Sequence, residues 1–178
     1  MSYLIPIRPA TLADADAVSS LSLATFPLGC PPDTDPAHLN AFISTELTPD
    51  RFRQFLITDG VTILLAEVDR RLAGFVMLVS PSPHPQIKAQ SPIELRKFYV
   101  DPAPHGRGVA NSLMQSALPF LDNPQHDTAW LSVYSGNARA LTFYQRWGFE
   151  IVGTHYFNVG GDPQKDFVMR RNHPRGKE

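Results

Sequence analysis

Two stretches of this chain place chemistry-bearing residues at intervals that matter. The first, Phe98-Tyr99-Val100-Asp101-Pro102-Ala103-Pro104-His105-Gly106-Arg107-Gly108-Val109-Ala110, reads as a strand that turns and enters a helix. Gly106 and Gly108 let the backbone approach a ligand closely and take dihedrals that a side chain forbids. Amides left free at the start of the new helix point outward, where the helix dipole favours an anion. Arg107 adds a mobile positive charge. A pyrophosphate suits such a cradle; the competing reading is a plain glycine-rich turn ahead of a helix. Two other nucleotide motifs fail here. There is no Gly-Lys-Ser/Thr of a P-loop, and no first-strand glycine triad with a distant acidic partner.

The second stretch is Asn137-Ala138-Arg139-Ala140-Leu141-Thr142-Phe143-Tyr144-Gln145-Arg146-Trp147-Gly148-Phe149. Asn137 is a good helix cap, Gly148 a normal C-terminal glycine, and Phe149 a core residue opening the next strand. Phe143 and Trp147 read as packing. Tyr144 is either core or the bearer of a reactive phenol.

Together the two stretches resemble the GCN5-related N-acetyltransferases. In that family a Gln or Arg, two residues, a Gly, one residue and a Gly or Ala follow a strand ending in an aliphatic–aromatic–Val-type triplet. Gly108 and Ala110 match the last two positions, and Phe98-Tyr99-Val100 the triplet; His105 departs from the first. The asparagine, small-residue helix, aromatic pair and closing Gly-Phe of residues 137–149 match the family's other signature. The resemblance implies acetyl-CoA as co-substrate. It implies main-chain pairing of Phe98 and Val100 with the pantetheine arm, and amides of His105, Gly106, Arg107, Gly108, Val109 and Ala110 around the pyrophosphate. Tyr99, Asn137, Ala140 and Tyr144 complete the expected cofactor contacts. It also gives Tyr144 a role, protonating the coenzyme A thiolate as it leaves.

Direct attack by a neutral amine on the thioester needs no covalent intermediate, so Cys30, in a proline-rich loop, has no nucleophilic task. Something must accept the amine's proton, and Glu94 is the candidate, on the strand that leads to the cradle. Alternation places Glu94, Arg96, Phe98 and Val100 on one face. The other reading of Glu94 is a surface carboxylate paired with Arg96. The wider pattern is similar to that of the Pai-type bacterial polyamine N-acetyltransferases. It includes Ala24-Thr25-Phe26, Glu94, Gly153-Thr154-His155-Tyr156-Phe157, and then Gly160 or Gly161, Gln164, Asp166 and Met169. The resemblance implies a spermidine- or spermine-like acceptor, with Phe26 and His155 near it. Asp33, Asp35, Glu46 and Asp50 lie in the region expected to shape the acceptor site. A protein N-terminus or lysine is the alternative acceptor, and a catalytically silent acyl-CoA-binding module the alternative class.

The elements needed to hold these residues are legible in the hydrophobic periodicity. A strand over Leu4–Arg8 precedes a helix capped by Thr11, and two short helices cover roughly 37–47 and 49–59. Val61–Val68 and Leu72–Ser80 form a hairpin around Asp69-Arg70-Arg71. Residues 81–92 are an irregular, surface-lying, proline-rich connection. Then come strand 93–100, helix 106–118 ended or kinked by Pro119, strand 128–133, helix 137–147, and strands 150–159 and 166–170. The class is α+β with a mixed sheet. The resemblance implies six to seven mostly antiparallel strands, helices on both faces, and central strands 93–100 and 128–133 splayed apart. One domain covers 1–171, with 172–178 as a flexible tail.

Bulk properties narrow the classes. The chain has 178 residues, 43% of them hydrophobic, and a net charge of −1 at pH 7. That is one ordinary globular domain with no electrostatic pull toward nucleic acid or anionic membrane. One cysteine excludes an internal disulfide and a multi-cysteine zinc site, so no metal is expected. Neither a leader nor a membrane-length apolar run is present, which predicts a cytoplasmic protein. A small amine is the expected partner of a monomer or homodimer.

Overall fold

The computed structural model describes residues 5–103 and 108–172. Seven strands form one sheet in the order β1-β2-β3-β4-β5-β7-β6. They are β1 (Ile7–Pro9), β2 (Val61–Val68), β3 (Arg71–Val79), β4 (Pro92–Val100), β5 (Thr128–Tyr134), β6 (Glu150–Val159) and β7 (Asp162–Asn172). Every pairing is antiparallel except β4 with β5. The helices are α1 (Ala15–Thr25), α2 (Pro36–Glu46), α3 (Pro49–Leu56), α4 (Val109–Leu121) and α5 (Ala138–Arg146). The sheet is thus seven-stranded, mostly antiparallel and flanked by helices on both faces, as expected.

Strands covered on both faces must be apolar throughout rather than alternating, and β2 and β3 are. Leu64, Ala66, Val76 and Leu78 pack with Leu113, Met114 and Ala117 of α4. Their neighbours Ile63, Leu65, Phe75 and Met77 face the other way, onto Val18 and Leu21 of α1 and Phe52 and Phe55 of α3. The hairpin between these strands turns through Asp69 and Arg70, both at positive φ (50° and 62°). That pair of left-handed residues matches the twist of a two-residue hairpin.

Several boundaries differ from those expected. Strand β1 starts later, at Ile7, and Leu4 lies outside the described residues. Thr11 caps a short 3-10 turn, Leu12–Asp14, rather than α1 itself; the Asp14 carboxylate accepts from the Thr11 amide at 2.7 Å. Helix α4 passes through Pro119 to Leu121. The ring removes only the bond to the carbonyl one turn back, while the Asp122 amide still bonds Leu118 and Leu121 is buried. Strand β7 is more than twice its expected length because it is paired along both edges, to β5 and β6. The 81–92 connection is irregular but not wholly superficial. Ile87 is buried against Trp130 and Val168, and the Trp130 indole donates to the Ser82 carbonyl at 2.8 Å. Strand β7 ends at Asn172, and the rest of the expected tail lies outside the described residues. Among the described residues no helix is long and apolar enough to cross a membrane.

Candidate active site

The site follows from one irregularity of the sheet. Strands β4 and β5 pair only over Pro92–Glu94 with Thr128–Trp130. Beyond that point the parallel ladder stops, and Leu95–Val100 have no strand partner on the β5 side. The Asp101 amide bonds Ala73 on the β3 side, at 2.8 Å. Strand alternation therefore turns the amides and carbonyls of Phe98 and Val100 toward the gap. Peptide groups left unpaired in this way are ready to bond an extended ligand. The gap opens into a cavity of about 1120 Å³.

One end of this cavity is built by α4 and α5. Gly108 is the N-cap of α4 at φ +82°, a left-handed conformation open to glycine, and among the described residues no side chain caps that terminus. The first intrahelical bond runs from the Ser112 amide to the Gly108 carbonyl at 2.9 Å, so the amides of Val109 and Ala110 have no intrahelical acceptor. His105, Gly106 and Arg107, the earlier half of the expected cradle, lie outside the described residues. At the start of α5 the Asn137 side chain accepts from the Ala140 amide at 3.1 Å, which makes it the helix cap. Both Asn137 and Ala140 line the cavity.

Tyr144 lies on the inner side of α5. Its ring packs between Phe143 and Phe149, with centroids at 5.4 and 6.0 Å, and edge-on to Phe98 at 6.1 Å. The residue is buried, lines the cavity, and makes no side-chain hydrogen bond among the described residues. Burial pushes its phenol well above the ordinary tyrosine range, so the hydroxyl keeps its proton and acts as a donor. Tyr99 is shifted in the same direction by burial, but its ring points to the opposite face, edge-on to Phe75 at 5.3 Å.

The face assigned to Glu94 by simple alternation needs correction. Pairing with β3 slips between Met77 and Leu78: Met77 faces Lys97 whereas Leu78 faces Leu95, leaving Arg96 as an extra, bulged residue. A bulge of one residue reverses every side chain beyond it. Ile93 and Leu95 before the bulge share the α4 face with Phe98 and Val100 after it. Glu94 therefore shares the opposite face with Lys97 and Tyr99. Its Oε2 accepts from the Ser82 hydroxyl at 2.6 Å and from Arg96 at 2.7 and 2.9 Å. The sequence reading that paired Glu94 with Arg96 is thus present, in a carboxylate that also lines the cavity.

Strands β5, β6 and β7 add a polar chain that sequence reasoning saw only in parts. The Gln86 amide donates to Nδ1 of His84 at 3.2 Å, which places the His84 proton on Nε2. That proton faces Nδ1 of His155 at 3.1 Å, and His155 Nε2 meets the Ser132 hydroxyl at 2.7 Å. Ser132 in turn donates to Asp166 at 2.6 Å. The donors all run one way, from His84 to Asp166. Burial raises the Asp166 carboxyl above its usual range, and burial lowers the His84 imidazole. His155 is thus a satisfied histidine that also lines the cavity. His84 and Ser132 carried no signal, because their contacts span 71 and 34 residues of sequence.

Phe26 stacks on Phe42 at 4.6 Å and meets Tyr99 edge-on at 6.5 Å, forming an aromatic wall. Of the four acidic residues expected near the acceptor, only Glu46 reaches this cavity; Asp33 and Asp35 line a separate shallow hollow. Cys30 borders the cavity with its thiol pushed up to about 11 by burial and by Asp166 and Asp162, hence protonated and inert at neutral pH.

A splayed strand pair, a helix start and a buried phenol thus meet on one cavity. Residues 27–149 match the model of the acetyltransferase (GNAT) family. An uncharacterised N-acetyltransferase of Mycobacterium tuberculosis is 35% identical over 160 residues, which cover 90% of this chain and 98% of that one. Among solved structures, a PaiA N-acetyltransferase of Thermoplasma acidophilum in complex with coenzyme A superposes with a TM-score of 0.76 at 18% identity, covering 97% and 99% of the two chains. A GCN5-related N-acetyltransferase of Rhodopseudomonas palustris gives 0.73 at 16% identity, covering 97% and 98%. The chain belongs to the GNAT acetyltransferase family. It is an N-acetyltransferase, and acetyl-CoA is its co-substrate.

Proposed function

We propose that this enzyme moves an acetyl group to the primary amine of a small molecule, by direct attack of the neutral amine in a ternary complex. The observation that carries this reading is the splay of β4 from β5. It brings unpaired strand backbone, the free α4 amides and the Tyr144 phenol onto one cavity. When bound, acetyl-CoA supplies a thioester carbonyl and a thiolate leaving group. Phe98 and Val100 hold it by main-chain pairing, and Gly108, Val109 and Ala110, with His105, Gly106 and Arg107 before them, receive its phosphates. Tyr144 holds a proton at Oη for the departing sulfur. Glu94 takes the amine's proton at Oε1, directly or through a water, its other oxygen being held by Ser82 and Arg96.

A polyamine acceptor has Glu46, Glu94 and Asp166 in its favour. Against it, Arg51, Arg96, Lys97 and Arg139 in the same lining equal in number those three carboxylates and Asp101. The balanced lining therefore favours a small amine without selecting a polycation, and polyamines are one arm of the test. That test is thiol release from acetyl-CoA with polyamines, amino acids, aminoglycosides and peptides. Release with small amines is expected. Release with peptides alone would move the acceptor to a protein, and acetyl-CoA binding without release on any amine would leave a binding module.

The start of α4 is testable by itself. Gly108→Val forces a β-branched side chain into a left-handed backbone, a strain of about 1–3 kcal/mol. Calorimetric titration of acetyl-CoA is expected to show roughly tenfold weaker binding, at constant fold by circular dichroism. An unchanged Kd would remove this helix start from the cofactor site.

A further inference from the structure

Lys97 is a buried cation for which the reaction above has no task. The bulge at Arg96 turns its side chain onto the face of α1 and α3, opposite Phe98, Val100 and the helix that receives the cofactor phosphates. Lys97 is 8% exposed and lines the cavity. Two arginines and two glutamates stand around it, and each is already taken. Arg51 reaches Glu46 at 3.5 Å, and Arg96 reaches Glu94 at 2.7 Å. The Lys97 ammonium has no hydrogen-bond or ion-pair partner among the described residues. The Phe55 ring lies beside it, with the centroid at 5.9 Å, near the outer limit of a cation–π contact.

A buried ammonium without a counter-charge is unfavourable, and proteins keep such groups where a ligand completes them. Burial draws Lys97 down to about 8, so near neutral pH it still carries its charge. The complementary group is Asp166. Like Asp101 just past the end of β4, it is a carboxylate of this lining with no guanidinium or ammonium on it among the described residues: its bonded donor is the Ser132 hydroxyl, and His155 Nε2 stands 3.9 Å away. With the two arginine–glutamate pairs self-neutralised, and Asp101 and Arg139 set apart just past β4 and in the first turn of α5, the rest of the lining presents one unmatched cation and one unmatched carboxylate. A polycation satisfies only the second.

We infer that the acceptor carries a carboxylate together with its amine, an amino acid or related amino carboxylate, and that Lys97 is the residue that receives that carboxylate. The inference rests on the N-acetyltransferase reading above and narrows its substrate class. In the reaction the amine nitrogen bonds the acetyl carbon, the carbon–sulfur bond breaks, and the proton lost by nitrogen passes to Glu94 or water. The carboxylate takes no part in bond making. It fixes the acceptor, so its loss acts on KM more than on kcat.

The experiment measures thiol release by the full chain with acetyl-CoA, for a set of α- and ω-amino acids, each against its own carboxamide, with spermidine alongside. We expect at least one amino acid to exceed its carboxamide in kcat/KM by roughly 10- to 100-fold, the range of a charged hydrogen bond. Lys97→Met is expected to erase that ratio by raising KM for the acid while leaving the carboxamide unchanged, and Lys97→Arg to retain part of it. The preferred acid should also raise the melting temperature of the wild type but not of Lys97→Met, a readout independent of turnover. Equal rates for acid and carboxamide, or a preference for spermidine, overturn the inference and leave the acetyltransferase intact. A Lys97→Met chain that loses both acceptors equally makes Lys97 structural and overturns it too. No thiol release with any amine, although acetyl-CoA binds, fells the acetyltransferase reading and the inference with it.

Discussion

Tyr144→Phe is expected to lower kcat by about 100- to 10,000-fold, the range for losing a positioned general acid, with acetyl-CoA affinity unchanged. The substitution is clean because of how the residue is held. Its ring is fixed by Phe98, Phe143 and Phe149, and phenylalanine keeps all three contacts. Its hydroxyl bonds nothing among the described residues, so its removal orphans no partner and stability should change by less than about 1 kcal/mol. Because burial raises the phenol, the working form is protonated throughout the assay range, and Tyr144 contributes no limb to the pH–rate profile near neutrality. Any limb there belongs to the amine and to the group that takes its proton. Rapid-quench turnover with calorimetric Kd separates the two parameters. A kcat within threefold of wild type would leave Tyr144 as core alone and return the sulfur's proton to water.

What the sequence discloses here, and what it conceals, divides along the range of the interactions involved. Asn137 capping α5, Gly108 opening α4 and the Asp69-Arg70 turn are all local, each set by a residue's own backbone preference, and each is readable at its position. Helix α4 was legible up to Pro119 but not beyond it. A proline penalty is local, whereas the burial of Leu121 that outweighs it is tertiary. The bulge at Arg96 left no local mark at all. It exists because β4 must match β3, and it moved Glu94 to the other face of the sheet. The chain from His84 to Asp166 joins four segments through the sheet, so no spacing rule could assemble it. Lys97 escaped notice for a related reason. Between Arg96 and Phe98 it reads as a solvated lysine, and only the bulge and the cover of α3 make it a buried one.

That burial makes a second large effect, on stability. Lys97→Met is expected to stabilise the chain near pH 7, by roughly 6–12 °C in melting temperature. In the unfolded chain the lysine titrates at its ordinary value of 10.5; in the fold, burial draws it down to about 8. A lowered lysine means the charged form is disfavoured by folding. The penalty is complete below pH 8, on the order of 3 kcal/mol by linkage, and is relieved as pH rises from about 8 to 10.5, where the unfolded chain binds more protons than the fold. At about 2–4 °C per kcal/mol for a domain of this size, the stated rise follows. Methionine has nearly the same reach and no charge, and Arg51 and Arg96 keep Glu46 and Glu94, so no carboxylate is orphaned. Other groups titrate in the same interval. The Cys30 thiol, raised to about 11, works in the opposite sense, losing stability as pH passes the unfolded value of 9.0. The quantity to measure is therefore the difference in unfolding free energy between wild type and Lys97→Met, in which Cys30 cancels. That difference should be flat below pH 8 and close toward zero by about 10.5. A pH-independent difference, or a destabilised variant, would mean that Lys97 is already neutral or paired within the fold, and the cavity would then hold no waiting cation.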